Sequence, residues 1–234
     1  MNAESYFVAG TDTGVGKTRV TAGLLAAGRA AGLAVAGMKP VASGAEPISG
    51  RMASADALQL AAASGQSTDY EDLNPYCLEV AVSPHIAAQL ANIAIDIAKI
   101  VTIARKLRLP SDLLLIEGAG GWYTPISDGE SMADLARALG TPVLLVVGLK
   151  LGCLNHARLS LEAIRHCGCR FAGWIGNHID PGFMAPAENL ATLRQLLGAE
   201  PLAMLPYSAD CQGDAAHMRG ALLRLRASSQ RPTT

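Results

Sequence analysis

The segment Gly10-Thr11-Asp12-Thr13-Gly14-Val15-Gly16-Lys17-Thr18 places glycines, hydroxyls and one lysine within nine residues. An apolar run at 6–9 precedes it and an alanine-rich stretch follows, so it reads as a turn joining a strand to a helix. Successive N–H groups of such a turn cradle phosphate oxygens, helped by the positive end of the helix. Gly14, Val15 and Gly16 would supply backbone, Lys17 would reach the β- and γ-phosphates, and the Thr18 hydroxyl would bind Mg²⁺. The spacing departs from G-x-x-x-x-G-K-[ST] by one residue: Thr11 stands where the leading glycine belongs, and Gly10 precedes it. The chemistry indicated is Mg-ATP-dependent phosphoryl transfer to a small molecule.

Other polar clusters also follow apolar runs. Lys39-Pro40-Val41-Ala42-Ser43-Gly44 leaves the run at 34–38, and Pro40 ends that strand and forbids helix, which turns Lys39 and Ser43 toward the strand ends. A lysine there either answers charge on a phosphorylated intermediate or is an ordinary surface charge. Glu117 follows Leu113-Leu114-Leu115-Ile116 and has the position of a strand-end acid that holds Mg²⁺. Gly118, Ala119 and Gly120 after it let the backbone approach a ligand. Asp56 opens a helix, as a metal ligand or as a simple first-turn carboxylate. Gly152-Cys153-Leu154-Asn155 also opens a helix; its free N–H groups suit a substrate carboxylate, although Asn155 is equally suited to capping. The chain has fourteen arginines and only five lysines, of which Lys17, Lys39 and Lys150 lie at strand ends. A compact ammonium at those places, in a chain that otherwise prefers the planar guanidinium, fits a role that needs the smaller charge.

These groups must be positioned by the apolar runs at 6–9, 34–38, 113–116, 143–147, 171–175 and 202–205. Helical stretches alternate with them at 17–31, 54–64, 84–108 (continuous or broken), 131–139, 153–167, 187–197 and 214–226. Continuous apolar strands alternating with helices predict a doubly wound α/β fold, with a mainly parallel sheet flanked by helices. One domain over 1–227 and a disordered tail at 228–234 suffice for the 234 residues. Ligands of such sheets gather beyond the carboxyl ends of the strands. The net charge of −1 gives no field for nucleic acid or an anionic membrane. The absence of a long uninterrupted apolar run or a basic leader points to a cytoplasmic protein. Cys77, Cys153, Cys167, Cys169 and Cys211 are odd in number and irregularly spaced, as expected of reduced thiols.

Together the segments closely resemble the dethiobiotin synthetase family of P-loop NTPases. The matching stretches are GTDTGVGKT at 10–18, KPVASG at 39–44, ADAL at 55–58, NPY at 74–76, SPH at 83–85, EGAGGWYTP at 117–125, VVGLKLGCLNHA at 146–157 and AGWIGN at 172–177. They run in the family's order up to about residue 210. The phosphate loop is generic, whereas its combination with the lysine-serine, EGAGG and LGCLNHA segments is specific. The resemblance implies an ATP- and CO₂-dependent ring closure of 7,8-diaminononanoate, through a carbamate and its phosphate anhydride, in biotin biosynthesis. It implies Mg²⁺ on Thr18, Asp56 and Glu117, and catalytic roles for Thr13, Lys17 and Lys39. Ser43, with Thr13, would lie near the diamine and carbamate, and Leu154 and Asn155 would meet the substrate's other end. Asn177, His178 and the Pro206-Tyr207-Ser208 turn would border the base. A homodimer with sites near its interface is implied as well.

Two classes stand as rivals. Amide ligases of the cobyrinic acid type normally add a glutamine-hydrolysing domain, for which this chain has no room. Switch ATPases of the ParA or MinD type carry a second lysine five residues before the main one, where this chain has Asp12. The chain also departs from many family members by Cys211 in place of an asparagine near the base, which predicts looser base discrimination, and by Asn189 where some carry a tyrosine.

Overall fold

The computed structural model describes residues 4–65, 68–208 and 214–229. In chain order its elements begin with β1 (Glu4–Gly10), α1 (Lys17–Ala30), β2 (Val35–Met38), β3 (Val41–Ser43), β4 (Glu46–Ile48) and β5 (Arg51–Ala53). Next come α2 (Ala55–Ser64), α3 (Tyr70–Leu73), β6 (Tyr76–Leu78), α4 (Pro84–Leu90), α5 (Ile97–Arg108), β7 (Leu113–Glu117) and α6 (Met132–Leu139). The chain continues through β8 (Val143–Leu149), α7 (Cys153–His166), β9 (Phe171–His178), α8 (Pro186–Leu197), β10 (Ala203–Leu205) and α9 (Asp214–Ser229).

The six expected apolar runs pair into one sheet in the order β10-β9-β8-β1-β7-β2, and every pairing is parallel. The reason is visible in the burial. All of β7 and β8 is buried, which only a sheet covered on both faces allows. Alternate residues serve opposite faces, as the two-residue strand period requires. Phe7, Ala9, Leu114, Ile116, Leu145 and Val147 pack with α5, α6, α7 and α8, while Tyr6, Val8, Leu113, Leu115, Leu144 and Val146 pack with α1, α2 and α9. Each large side chain among these is worth roughly 1.5–3 kcal/mol on burial, and a one-residue slip of a central strand would exchange its side chains between two differently packed layers.

The stretch 84–108, left open as continuous or broken, divides into α4 and α5. Asn92 takes a left-handed φ of 53° after α4, and Asp96 then caps α5, accepting from Ala98 N at 2.7 Å and Lys99 N at 3.3 Å. Helix α9 runs to Ser229; the remainder of the expected tail, 230–234, lies outside the described residues, as does Cys211. Four short strands and one short helix were not foreseen. Strand β3 pairs in parallel with β6, and β4 pairs antiparallel with β5 around a turn at Ser49 and Gly50, both at positive φ. Strand β1 lies between β7 and β8, where the connections diverge to the two halves of the sheet. The carboxyl ends of these three strands therefore form the crevice in which such folds hold ligands.

Candidate active site

Helix α1 begins at Lys17 directly behind Gly16, whose φ of 86° lies in the left-handed region. No side chain caps this helix, so its first N–H groups face the turn without a side-chain partner and suit an anion. A Cβ at Gly16 would come within 2.1 Å of Asn177 Nδ2, so the position needs glycine on steric as well as conformational grounds. Lys17 is only 7 % exposed, and its ammonium donates to the carbonyls of Gly120 at 2.7 Å and Asp12 at 3.1 Å. Burial, and then the charge of Lys39, pull its pKa down to about 8, against partial compensation from Glu117, Asp56 and Asp12. A buried cation held down in this way is one that a bound anion would stabilise.

Three segments converge beside it. Glu117, at the end of β7, is fully buried; its Oε1 accepts from Thr18 Oγ1 at 2.8 Å and from Lys39 Nζ at 2.6 Å. Asp56 lies in the first turn of α2, and the helix cap is Ser54, whose Oγ accepts from Ala57 N at 3.5 Å. The Asp56 carboxylate is therefore not spent on capping, and its Oδ2 meets Lys39 Nζ at 2.7 Å. Lys39, 4 % exposed, thus sits between two carboxylates. Burial alone would lower its pKa, but the charges of Glu117 and Asp56 outweigh burial and raise it. Burial likewise pushes the Asp56 carboxyl up, and Lys39 overcomes this to hold it below the ordinary range.

Glu117 Oε2 is buried and has no hydrogen-bond partner. An orphaned carboxylate oxygen costs free energy unless something else satisfies it. Together with Thr18 Oγ1 and Asp56, it makes a set of hard oxygen donors fit for Mg²⁺, which takes one or two carboxylates from a protein and fills its other positions with phosphate and water. Among the described residues no cluster of three or more His, Cys, Asp or Glu side chains forms a metal cage.

Thr13, Gly14, Gly16, Ala119, Gly120 and Ser43 line the same cleft of about 320 Å³ as Lys17, Thr18, Lys39, Asp56 and Glu117. Gly118 sits under it with its N–H on Val8 O at 3.0 Å; a Cβ there would meet the Phe7 ring at 2.9 Å. Asp12, the position of the second lysine in switch ATPases, instead meets Lys150 at 3.2 Å. Its carboxyl is held below the ordinary range, first by the Thr13 N–H and, against burial, by Lys150.

The base-side residues form a second group. Asn177 is buried, and its Nδ2 donates to Val15 O at 2.9 Å, so its amide braces the phosphate loop. Arg19 Nη1 donates to Asn177 Oδ1 at 2.9 Å and to Pro206 O at 2.8 Å. This buried arginine was missed in the sequence, where nothing separates it from a solvent-facing residue of an amphipathic helix. His178 ends β9 with its ring edge-on to Phe183 at 5.9 Å, and Pro206, Tyr207 and Ser208 are exposed beyond β10. Leu154 and Asn155 are not in the cleft lining. They sit in the first turn of α7, which Gly152 enters at φ 93° with no side-chain cap. Asn189 lies in α8, with its amide on the carbonyls of Ala185 and Met184.

Comparison with known proteins agrees with this construction. The family described as an AAA domain matches residues 4–215. The ATP-dependent dethiobiotin synthetase of Aromatoleum aromaticum is 48 % identical over 205 residues, covering 88 % of this chain and 91 % of the relative. The enzyme of the same description from Chromohalobacter salexigens is 48 % identical over 231 residues, 94 % of this chain and 98 % of its own. Among solved structures, the MinC:MinD cell division complex of Aquifex aeolicus aligns with a TM-score of 0.63 at 17 % identity over 99 % of each chain. That likeness concerns the fold alone. Identity of this extent to the synthetases, over nearly their full length, means that the chain belongs to the ATP-dependent dethiobiotin synthetase family.

Proposed function

We propose that this chain closes the cyclic urea of dethiobiotin from 7,8-diaminononanoate, CO₂ and ATP. One observation carries the reading at the site: two buried lysines, two carboxylates and a threonine hydroxyl meet in one cleft at the end of a phosphate loop. No side-chain nucleophile is required, because the substrate brings both of its own. One amine nitrogen adds to the carbon of CO₂ and gives up a proton to solvent, forming a carbamate. A carbamate oxygen attacks the γ-phosphorus, and the bond to the bridging oxygen of ADP breaks. The second amine then attacks the carbamate carbon, phosphate leaves with the C–O electron pair, and the nitrogen's proton passes to solvent.

Both phosphoryl steps build charge on phosphate oxygens. Lys17 and the N–H groups of Gly14, Val15 and Gly16 answer it from the nucleotide side, and Lys39 from the substrate side, where preorganised charge has most effect. Mg²⁺ held by Thr18, Asp56 and Glu117 would add positive charge at the same oxygens. Thr13 and Ser43 orient the diamine and carbamate in the cleft, and the backbone at Gly118, Ala119 and Gly120 lets the ligand approach closely. Asn177, His178 and the turn at 206–208 border the base.

Asn155 is exposed at the start of α7, Leu154 is half-buried against the core, and neither lines the cleft, so we infer that the far carboxylate of a substrate in the cleft meets such a helix start from a second copy. We therefore assign a homodimer; Leu151, 93 % exposed just before α7, supports that assignment. No described helix is long and apolar enough to cross a membrane, which fits a cytoplasmic enzyme. Purified protein with the diamine, bicarbonate and Mg-ATP should form dethiobiotin and ADP, detected by mass spectrometry. ATP hydrolysis that proceeds equally without diamine and bicarbonate would instead mark a switch ATPase.

A further inference from the structure

Lys39 and Glu117 are kept in register by the sheet itself, because β2 pairs with β7 and Met38 lies opposite Ile116. Asp56 has no such tether, since α2 is outside the sheet. The connection runs instead through two buried side chains that the proposed reaction does not use, Tyr70 and Asn74. The N–H of Ser54, the cap of α2, donates to the Tyr70 hydroxyl at 2.7 Å. That hydroxyl donates to Asn74 Oδ1 at 3.1 Å. Asn74 Nδ2 in turn donates to the carbonyl of Lys39 at 2.7 Å and to that of Tyr76 at 3.3 Å. The Lys39 N–H is tied to Leu73 O at 2.8 Å, so both backbone groups of Lys39 are held by the 73–74 segment. Arg51 covers the Tyr70 ring, 4.1 Å from its centroid.

We propose that Asn74 and Tyr70 are positioning residues for the ring-closing reaction: they hold the Lys39 backbone and the Asp56-bearing helix start at a fixed separation, so that the ammonium stays aimed into the cleft. The assignment rests on the proposed function. The physical reason is that a lysine on a flexible four-carbon stem has a defined reach only if its own main chain is pinned. Here the pin is a chain of satisfied buried hydrogen bonds, each of which leaves an orphaned polar group when one partner is removed. Neither side chain lines the cleft, so both act on the reaction by aiming the Lys39 ammonium.

The test is a double-mutant cycle. Tyr70→Phe removes one hydroxyl and keeps the ring under Arg51; Asn74→Leu keeps the volume and removes the amide. Each is made in the natural sequence and in a Lys39→Met background, and dethiobiotin formation and ATP affinity by calorimetry are measured. In the natural sequence each change should lower kcat about tenfold, the scale of one well-placed hydrogen bond, with the Kd for ATP within about twofold. In the Lys39→Met background the same changes should alter the residual kcat by less than about twofold, because their effect travels through the missing ammonium. Equal fractional losses in both backgrounds, or a fall in ATP affinity matching the loss of kcat, would overturn the assignment and leave the pair as ordinary fold residues. Should Asn74→Leu fail to fold, Tyr70→Phe decides alone, and full activity in that variant overturns the proposal. Wild-type protein that binds ATP but forms no dethiobiotin would overturn the functional reading and this assignment with it; turnover by the wild type together with additive losses overturns the assignment only.

Discussion

Lys39 is in contact with the same two carboxylates that are suited to the metal, at 2.7 and 2.6 Å. Without a cation, its ammonium compensates both. Removing one member of a buried ion pair leaves uncompensated charge, typically at a cost of about 3–5 kcal/mol. Lys39→Met should therefore lower the unfolding free energy by a few kcal/mol in chelator, and Mg²⁺ should restore part of the loss. Urea unfolding with and without Mg²⁺ measures both effects, and a variant as stable as the parent in chelator would count against the pairing. Turnover should fall by about 10²- to 10³-fold, as for a lost transition-state donor, with ATP affinity nearly unchanged. Lys17 has the opposite balance, with a pKa pulled down to about 8. Phosphate favours its charged form and raises that value, so at a pH between 8 and 10 nucleotide binding must take up protons. Calorimetry of Mg-free ADP at pH about 8.5, in buffers of different ionisation enthalpy, should show uptake of a fraction of a proton. Net release would reverse the sign and exclude Lys17 as the linked group.

At the scale of elements, the phosphate loop and β9 are built as one piece. The Asn177 amide holds Val15 O, Arg19 holds the Asn177 oxygen, and Gly16 passes beneath. Gly16→Ala would place a methyl group against Asn177 Nδ2 while also forcing an alanine to φ 86°. A left-handed non-glycine residue of this kind costs about 1–3 kcal/mol, and the clash displaces the N–H groups at the start of α1. ATP affinity should drop by tenfold or more while the far side of the sheet keeps its packing. Fluorescence titration with a labelled nucleotide checks the first, and hydrogen exchange in α5 and α6, on the face opposite α1, checks the second. Unchanged affinity would mean that the loop relaxes without moving its donors.

For the molecule as a whole, several large apolar side chains are left in water, among them Leu151 and Leu159 around α7, Tyr123, and Met184 before α8. Leu151→Glu adds charge beside the uncapped start of α7 without touching the cleft. In the proposed homodimer it should weaken self-association by well over tenfold and reduce dethiobiotin formation in step, while the ATP Kd of the dilute monomer stays the same. Sedimentation velocity across a concentration series, paired with calorimetry, reads both. Full activity in a protein that sediments as a monomer would show that one chain completes its own site.

The phosphate loop was legible because it is local: the left-handed Gly14 and Gly16, Lys17 and Thr18 lie within nine residues between one strand and one helix. The six strands of the main sheet were legible for a related reason, since a two-faced sheet demands unbroken apolar runs such as 143–147 and leaves no other use for them. The short pairs β3–β6 and β4–β5 have three residues per strand, too few for a period of two to stand out from loop composition. What the tertiary structure alone decided is which polar groups meet. Lys39 reaches Glu117 across 78 positions of sequence, and Arg19 reaches Asn177 across 158. Asn74, quoted in the sequence only as part of a motif, proves to hold the backbone of Lys39. Partners so far apart leave no periodicity behind them, because their meeting depends on strand order and helix placement. The sequence by itself determined the kind of chemistry and the edge of the sheet where it gathers; the fold determined which ammonium faces which carboxylate, and what pins it there.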